Sequence, residues 1–190
     1  MILSNVEIIK AIKNGYFNIE PLPHADPSQA PFNTSSIDLH LGNEILSPKK
    51  DAPVQMDLRK GNIANFLSTH SERHIITEQQ PYSLKRGEFV LAKTLEKVSF
   101  PLLNSDICYA ARVEGRSSLA RCGILIHFTA PTIHAGFEGT ITLEIINFGI
   151  NDFLLVPELP ICQLIIEEVK GSPADAPNQF KGQSSPAGVI

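Results

Sequence analysis

The chain has 190 residues, 43% of them apolar or aromatic and 19% charged, with a formal net charge of -4. That length and apolar fraction suit one domain with one core, and the slightly acidic balance leaves no global basic field to hold a long nucleic acid. The three cysteines, Cys108, Cys122 and Cys162, each sit in an apolar run and predict reduced core thiols in the cytoplasm, while the absence of any leader or membrane-length apolar run predicts a protein that neither enters nor crosses a membrane.

Leu3-Ser4-Asn5-Val6-Glu7 opens a helix, with Ser4 as N-cap, Glu7 three residues on and Leu3 placed to staple against Ile8. Ile8, Ile9 and Ile12 supply its buried stripe, Lys10 and Lys13 favour the dipole, and Gly15 offers a left-handed stop, so the helix should end at about residue 14. Prolines 21, 23, 27 and 31 then hold the connection extended, and strand alternation returns over Ser36-Ile37-Asp38-Leu39-His40-Leu41. Residues 47 to 80 show no sustained period beyond a short helix around Asn62 to Leu67, and they read as a surface excursion carrying His70 and His74 as surface groups.

After Pro81 the chain becomes a series of short apolar runs at close spacing: 89–92, 107–110, 124–129, 140–146, 153–156 and 161–166, bounded by Gly, Pro and Asn. That is the pattern of a β-barrel or sandwich, so the fold is mainly β with one short leading helix. Residues 171 to 190 switch to Gly, Ser, Pro, Ala and Gln, which predicts a single domain over 1–170 followed by a mobile tail.

Two features carry chemistry. Gly115-Arg116-Ser117-Ser118-Leu119-Ala120-Arg121 gathers two arginines and two hydroxyls behind a glycine, and a helical turn starting there would aim N–H groups at the same anion. Taken alone it reads first as a polar turn between strands. In Thr140-Ile141-Thr142-Leu143-Glu144-Ile145-Ile146-Asn147, alternation puts Ile141, Leu143 and Ile145 on one face and Thr142, Glu144 and Ile146 on the other. If that second face lines a pocket, Glu144 is a general base or acid; if it faces water, Glu144 is a solvated surface carboxylate. His70-Ser71-Glu72 lacks the Cys-x-x-Cys that a zinc deaminase needs, so no zinc site is expected, and neither a phosphate loop nor a dinucleotide-binding glycine turn is present.

The Gly115 to Arg121 heptapeptide, His127-Phe128-Thr129-Ala130, Gly136-Phe137-Glu138-Gly139 and Leu143-Glu144 together resemble the dCTP deaminases of the dUTPase superfamily. The likeness extends through the opening Ile2-Leu3-Ser4, Ser36 to Gly42 and the tail Gln179-Phe180-Lys181-Gly182-Gln183. The resemblance implies a distorted, jelly-roll-like β-barrel of the dUTPase type, assembled as a homotrimer with each active site between neighbouring subunits. It implies conversion of dCTP and water to dUTP and ammonia without zinc, with Mg2+ carried by the nucleotide triphosphate and dTTP a further candidate ligand. By the same resemblance Glu144 shuttles protons, while Ser117, Arg121 and the carbonyl of Ala130 hold the attacking water and the amine. Arg116, Ser118 and the amides of Leu119 and Ala120 correspond to phosphate contacts. Thr142, Leu143, Gln179 and Gln183 lie near the base or the phosphates. Apart from the resemblance, the tail from Gly171 onward is expected to act as a lid, with Phe180 covering a base while Gln183 hydrogen-bonds the ligand; the other reading is a disordered terminus.

Two positions depart from the family's pattern. Where relatives carry an aspartate that touches the sugar 3'-hydroxyl and, in dUTPases, activates water, this chain has His134, which accepts a sugar hydrogen bond when neutral but removes the usual base for triphosphate hydrolysis. Gln179 stands where some relatives place a lysine, leaving less positive charge over the phosphates. The competing readings are a dUTPase or bifunctional enzyme and, in another class, a nucleotide-binding regulator without turnover.

Overall fold

The computed structural model describes residues 1–50, 55–57, 59, 63–103, 107–174, 176 and 182–188. The first helix, α1 (Asn5–Lys13), begins where the side chain of Ser4 accepts a hydrogen bond from the Glu7 amide at 3.3 Å. It stops because Gly15, at φ 73°, lets the Tyr16 amide reach back to Ala11 O (3.0 Å) and its own amide to Ile12 O (2.9 Å). These two bonds satisfy carbonyls that the helix end would otherwise leave open. Ile8, Ile9 and Ala11 face the core.

Strands follow: β1 (Asn18–Glu20), β2 (Phe32–Asn33) and the long β3 (Ser36–Pro48). The stretch expected as a surface excursion contains the short helix expected there, α2 (Ile63–His70), but also the end of β3 and a strand β4 (Ser71–Ile75), which pairs antiparallel with β3 in the register Glu44↔Ile75 to Pro48↔Ser71. His74 is accordingly half-buried, its Nε2 2.8 Å from Ser47 Oγ. The remaining elements are β5 (Tyr82–Leu84), β6 (Phe89–Ser99), β7 (Cys108–Gly115), α3 (Ser117–Arg121), β8 (Ile124–Ile126), β9 (Thr132–Ile133), β10 (Glu138–Asn147), β11 (Phe153–Leu155) and β12 (Pro160–Val169).

The strands run antiparallel in the order β8-β10-β6-β3-β12-β7-β9, with β1 added to β6, β2 and β4 to β3, and a separate β5–β11 pair. The path curls because β3 changes partners along its length. Its first half pairs with β12 through Ile37↔Leu164 and Leu39↔Cys162, and its second half pairs with β6 through Leu41↔Thr94 and Ile45↔Ala92, with a bulge between. Gly42 sits at that crossing: a Cβ there would lie 3.0 Å from Lys93 O and 3.1 Å from Thr94 O. Only a residue without a side chain lets the two backbones approach so closely. The expected mainly β, jelly-roll-like architecture with a leading helix is what the chain adopts. Leu39, Leu41, Ile45, Val90, Ala92, Val113, Leu143, Ile145, Leu164 and Ile166 fill the interior.

Cys108 and Cys162 are buried thiols, and burial, aided by the nearby Glu96 and Asp38 carboxylates, pushes that of Cys162 far up and out of reactive range. Cys122 departs from expectation: it follows α3 at the surface and is exposed. Among the described residues no helix is long and apolar enough to cross a membrane.

At the end of β10, Asn147 is fully buried and ties three backbones together. Its Nδ2 donates to Leu84 O (3.2 Å) and Asn151 O (2.8 Å), and its Oδ1 accepts from the Gly149 amide at 2.9 Å. Replacing it by leucine strands these buried groups, so Asn147→Leu should lower stability by about 2–3 kcal/mol in equilibrium chemical denaturation. An unchanged midpoint would show that the network contributes nothing.

Candidate functional site

The outward face of β10 lines a cavity of about 390 Å3, a size suited to a small organic ligand. Ile141, Leu143 and Ile145 point into the core, which leaves Thr142 and Glu144 half-buried on the opposite side, as alternation requires. The other walls are mostly apolar: Ile63 and Leu67 from α2, Leu91 from β6, Ile133 from β9, and Pro186 and Ala187 near the C-terminus. Glu144 is the single carboxylate among the described lining residues, and His127 and His134 are the other titratable groups.

Glu144 and His127 meet because β8 pairs with β10 through Ile145↔Ile126, after which the chain turns sharply at His127. His127 has φ 54°, a left-handed conformation uncommon outside glycine, while its amide still donates to Glu144 O at 2.8 Å. Its Nε2 lies 2.7 Å from Ala130 O, and its Nδ1 lies 3.0 Å from Glu144 Oε2. The latter distance is that of an ion pair, yet the atoms are not aligned as a hydrogen bond, and each is sealed from solvent with no other partner.

The C-terminal segment closes one side of the cavity. Gln183 forms a parallel bridge with Gly139, its Oε1-bearing amide group donates through Nε2 to Thr140 O at 2.8 Å, and the Thr140 amide donates to Gln183 O at 3.1 Å. Lys93 Nζ donates to Ser184 O at 2.7 Å. In place of a free tail, residues 182–188 are therefore docked on β6 and β10, with Gln183, Ala187 and neighbours buried. Gly139 is what permits this approach, since a Cβ there, at φ 147°, would stand 2.6 Å from Gln183 O.

Among the residues singled out by sequence, Glu144, Thr142, Ala130, His134 and Gln183 come together at the cavity. Leu143 does not join them by its side chain, which is fully buried in the core. The Gly115 to Arg121 element lies elsewhere within the chain. Ser117, Ser118, Ala120 and Arg121 are exposed on α3, Leu119 packs against the core, and none of the seven residues lines the Glu144 cavity. Arg116 pairs with Asp38 at 3.4 Å and donates to Pro160 O at 3.3 Å, which anchors the start of α3 to β3 and β12. Gln179 and Phe180 lie outside the described residues. Sequence reasoning assigned no role to His127, to Ile63 and Leu67, or to Leu91. For His127 the available signal was its place three residues before Ala130, a spacing that lets a side chain fold back onto a local carbonyl.

A family model described as dCTP deaminase-like matches residues 2–169. The dCTP deaminase of Haloarcula marismortui is 36% identical over 192 residues, covering 98% of this chain and 92% of that protein. The dUMP-forming dCTP deaminase of Dictyoglomus turgidum is 38% identical over 184 residues, covering 97% of this chain and 88% of that protein. In structure, the 2'-deoxycytidine 5'-triphosphate deaminase from Agrobacterium tumefaciens superposes with a TM-score of 0.62 at 17% identity, over 88% of this chain and 47% of that one, a likeness of fold.

The seat of the C-terminal segment gives a direct test. Gly139→Ala should undock residues 182–188, read as faster hydrogen exchange at the amides of Gly182 and Thr140, which donate to Glu138 O and Gln183 O, with exchange in β3 and β12 unchanged. Equal protection of the segment in both proteins would mean that Gly139 is not its seat.

Proposed function

The chain belongs to the dCTP deaminase-like family, and from that premise we propose that it hydrolyses the 4-amino group of dCTP to give dUTP and ammonia. The observation that carries this reading is Glu144, the single carboxylate among the described lining residues of an otherwise largely apolar cavity. Attack on an amidine-like carbon needs a group that removes a proton from water and delivers protons to nitrogen, and one shielded carboxylate serves both steps. Glu144 takes a proton from water as the oxygen bonds to C4 and passes it to N3. It then takes the proton of the new hydroxyl as C4=O forms and gives it to the amine as the C4–N bond breaks. Water and substrate supply every atom of the products, and the carboxylate ends as it began.

Positioning supplies the rest. The carbonyl of Ala130 accepts from the attacking water, with Ser117 and Arg121 holding the water and the amine. Arg116, Ser118 and the amides of Leu119 and Ala120 bind phosphates, aided by Gln179; Thr142, Leu143 and Gln183 lie near the base, and His134 at the cavity mouth meets the sugar. Because α3 does not line its own chain's cavity, a neighbouring copy supplies Ser117 to Arg121, and the working unit is a homotrimer with shared sites. Magnesium rides on the triphosphate oxygens, and dTTP, which shares the deoxynucleoside triphosphate frame, is a competing ligand. The free cysteines suit a reducing cytoplasm. A second reading, in which dUTP is cut onward to dUMP, is favoured by the dUMP-forming name of relatives such as that of Dictyoglomus turgidum. Against it, His134 stands where relatives carry the aspartate that serves as the usual base for triphosphate hydrolysis.

Incubation with dCTP and magnesium, followed by ion-exchange separation with ammonia and pyrophosphate assayed in parallel, should give dUTP and ammonia without pyrophosphate. Appearance of dUMP with pyrophosphate establishes the second reading, and unchanged dCTP refutes both. Glu144→Gln should lower kcat by about 10²–10⁴-fold. Shared sites make a further demand. Arg121→Ala and Glu144→Gln, each inactive alone, should regain activity when mixed under subunit exchange, because some interfaces then unite two intact halves. A mixture as silent as its components would place the whole site within one chain.

A further inference from the structure

Glu44, on β3, is a buried carboxylate that the proposed chemistry does not use, its side chain 7% exposed. Cations from the two flanking strands engage both of its oxygens: Arg73 Nε on β4 donates to Oε1 at 2.9 Å, and Lys93 Nζ on β6 stands 3.2 Å from Oε2. Burial pushes its carboxyl up, but the bonds from Arg73 and Lys93 outweigh that and hold it below the ordinary carboxylate range, so the group is charged at neutral pH. Arg73 is exposed, whereas Lys93 is 20% exposed and reaches the wall of the cavity, where the same Nζ donates to Ser184 O at 2.7 Å. The stem of Lys93 is confined as well, its Cγ 3.2 Å from the point where a Cβ would stand on Gly42. β3 thus holds both the stem and the head of one lysine, and a donor already immobilised loses little further freedom in binding a carbonyl.

Lys93 stands opposite Thr142 in the β6–β10 register, and on the same outward face Thr142 Oγ1 donates to Pro186 O at 3.4 Å. One cross-strand pair therefore grips the C-terminal segment at two carbonyls, one on each side of Ser185. Next to that grip Ala187 packs against Leu46 and Leu91, and Gln183, Pro186 and Ala187 line the Glu144 cavity. We propose that Lys93, braced by Glu44, is a positioning residue for the substrate: it keeps the C-terminal wall of the cavity formed before the nucleotide arrives, so that binding free energy is not consumed in ordering that wall. The grip stands on geometry; its use in binding rests on the deaminase reading. Loss of the grip lowers the fraction of ligand-free protein whose wall is formed, which raises KM by the same factor, whereas the saturated enzyme carries the wall in either case and keeps its kcat.

Lys93→Met keeps the stem and removes the charge, and hydrogen exchange of the ligand-free protein reads the grip without turnover. The amides of Gly182 and Thr140, which donate to Glu138 O and Gln183 O, should exchange about 10-fold faster with exchange in β7 and β12 unchanged, and Lys93→Arg, which retains a cation, should hold them within about 3-fold of wild type. If Lys93→Met does not fold because it strands the Glu44 charge, the double variant Glu44→Gln/Lys93→Met leaves no charge buried there and carries the same expectation. With dCTP, KM should rise about 10-fold while kcat stays within about 2-fold of wild type. Unchanged exchange at Gly182 and Thr140 overturns the grip, and faster exchange with KM unchanged or lowered overturns its role in binding. Wild-type protein that leaves dCTP unchanged, alongside an exchange response to Lys93→Met, upholds the grip and overturns the deaminase reading, so the two failures are distinct.

Discussion

The two-residue period of β10 governs both the interior and the site. Ile141, Leu143 and Ile145 are buried almost completely, and their partners across β6 are set by the register Leu143↔Ala92 and Ile145↔Val90. A slip of one residue would drive Glu144 into the core and expose Leu143, so burial of the three apolar side chains specifies the outward face as strongly as it specifies the core. The remaining parts of the cavity hang from this strand. β8 pairs with its end and delivers His127 to Glu144, while Gly139 near its start receives Gln183.

The cavity sets a half-buried carboxylate against mostly apolar walls. Glu144 is held there with Oε2 3.0 Å from His127 Nδ1, and the same imidazole has its Nε2 2.7 Å from Ala130 O. The hydroxyl and guanidinium groups of α3 stand exposed at the surface, while Glu144 lies in the cavity beside β10, which α3 does not line.

Local signals in the sequence were legible where they act over a few residues. Ser4 and Gly15 bound the first helix as their side-chain and backbone chemistry requires, and the alternation of residues 140–146 separated Glu144 from the core-facing isoleucines. Of residues 47 to 80 only the short helix was legible, because β3 changes partners at Gly42 and continues to Pro48, where its pairing with β4 is set by residues far apart in the chain. Cys122 looked like a core thiol by its apolar neighbours Leu119, Ala120 and Ile124, yet the end of α3 turns it outward. Docking of residues 182–188 was invisible for a related reason: their composition buries little by itself, and the contact is made by backbone against Gly139 and by the amide of Gln183.

By itself the sequence determined the class of fold, the inward and outward residues of β10, and the family to which its motifs belong, because periodicity, capping and short motifs are encoded by neighbours along the chain. Tertiary structure alone decided that His127 faces Glu144, that the C-terminal segment walls the cavity, and that α3 stands apart from it. Each of these depends on pairing between segments far apart in the chain, where the energy lies in register, close backbone approach and the burial of polar atoms, none of which is written in any local pattern.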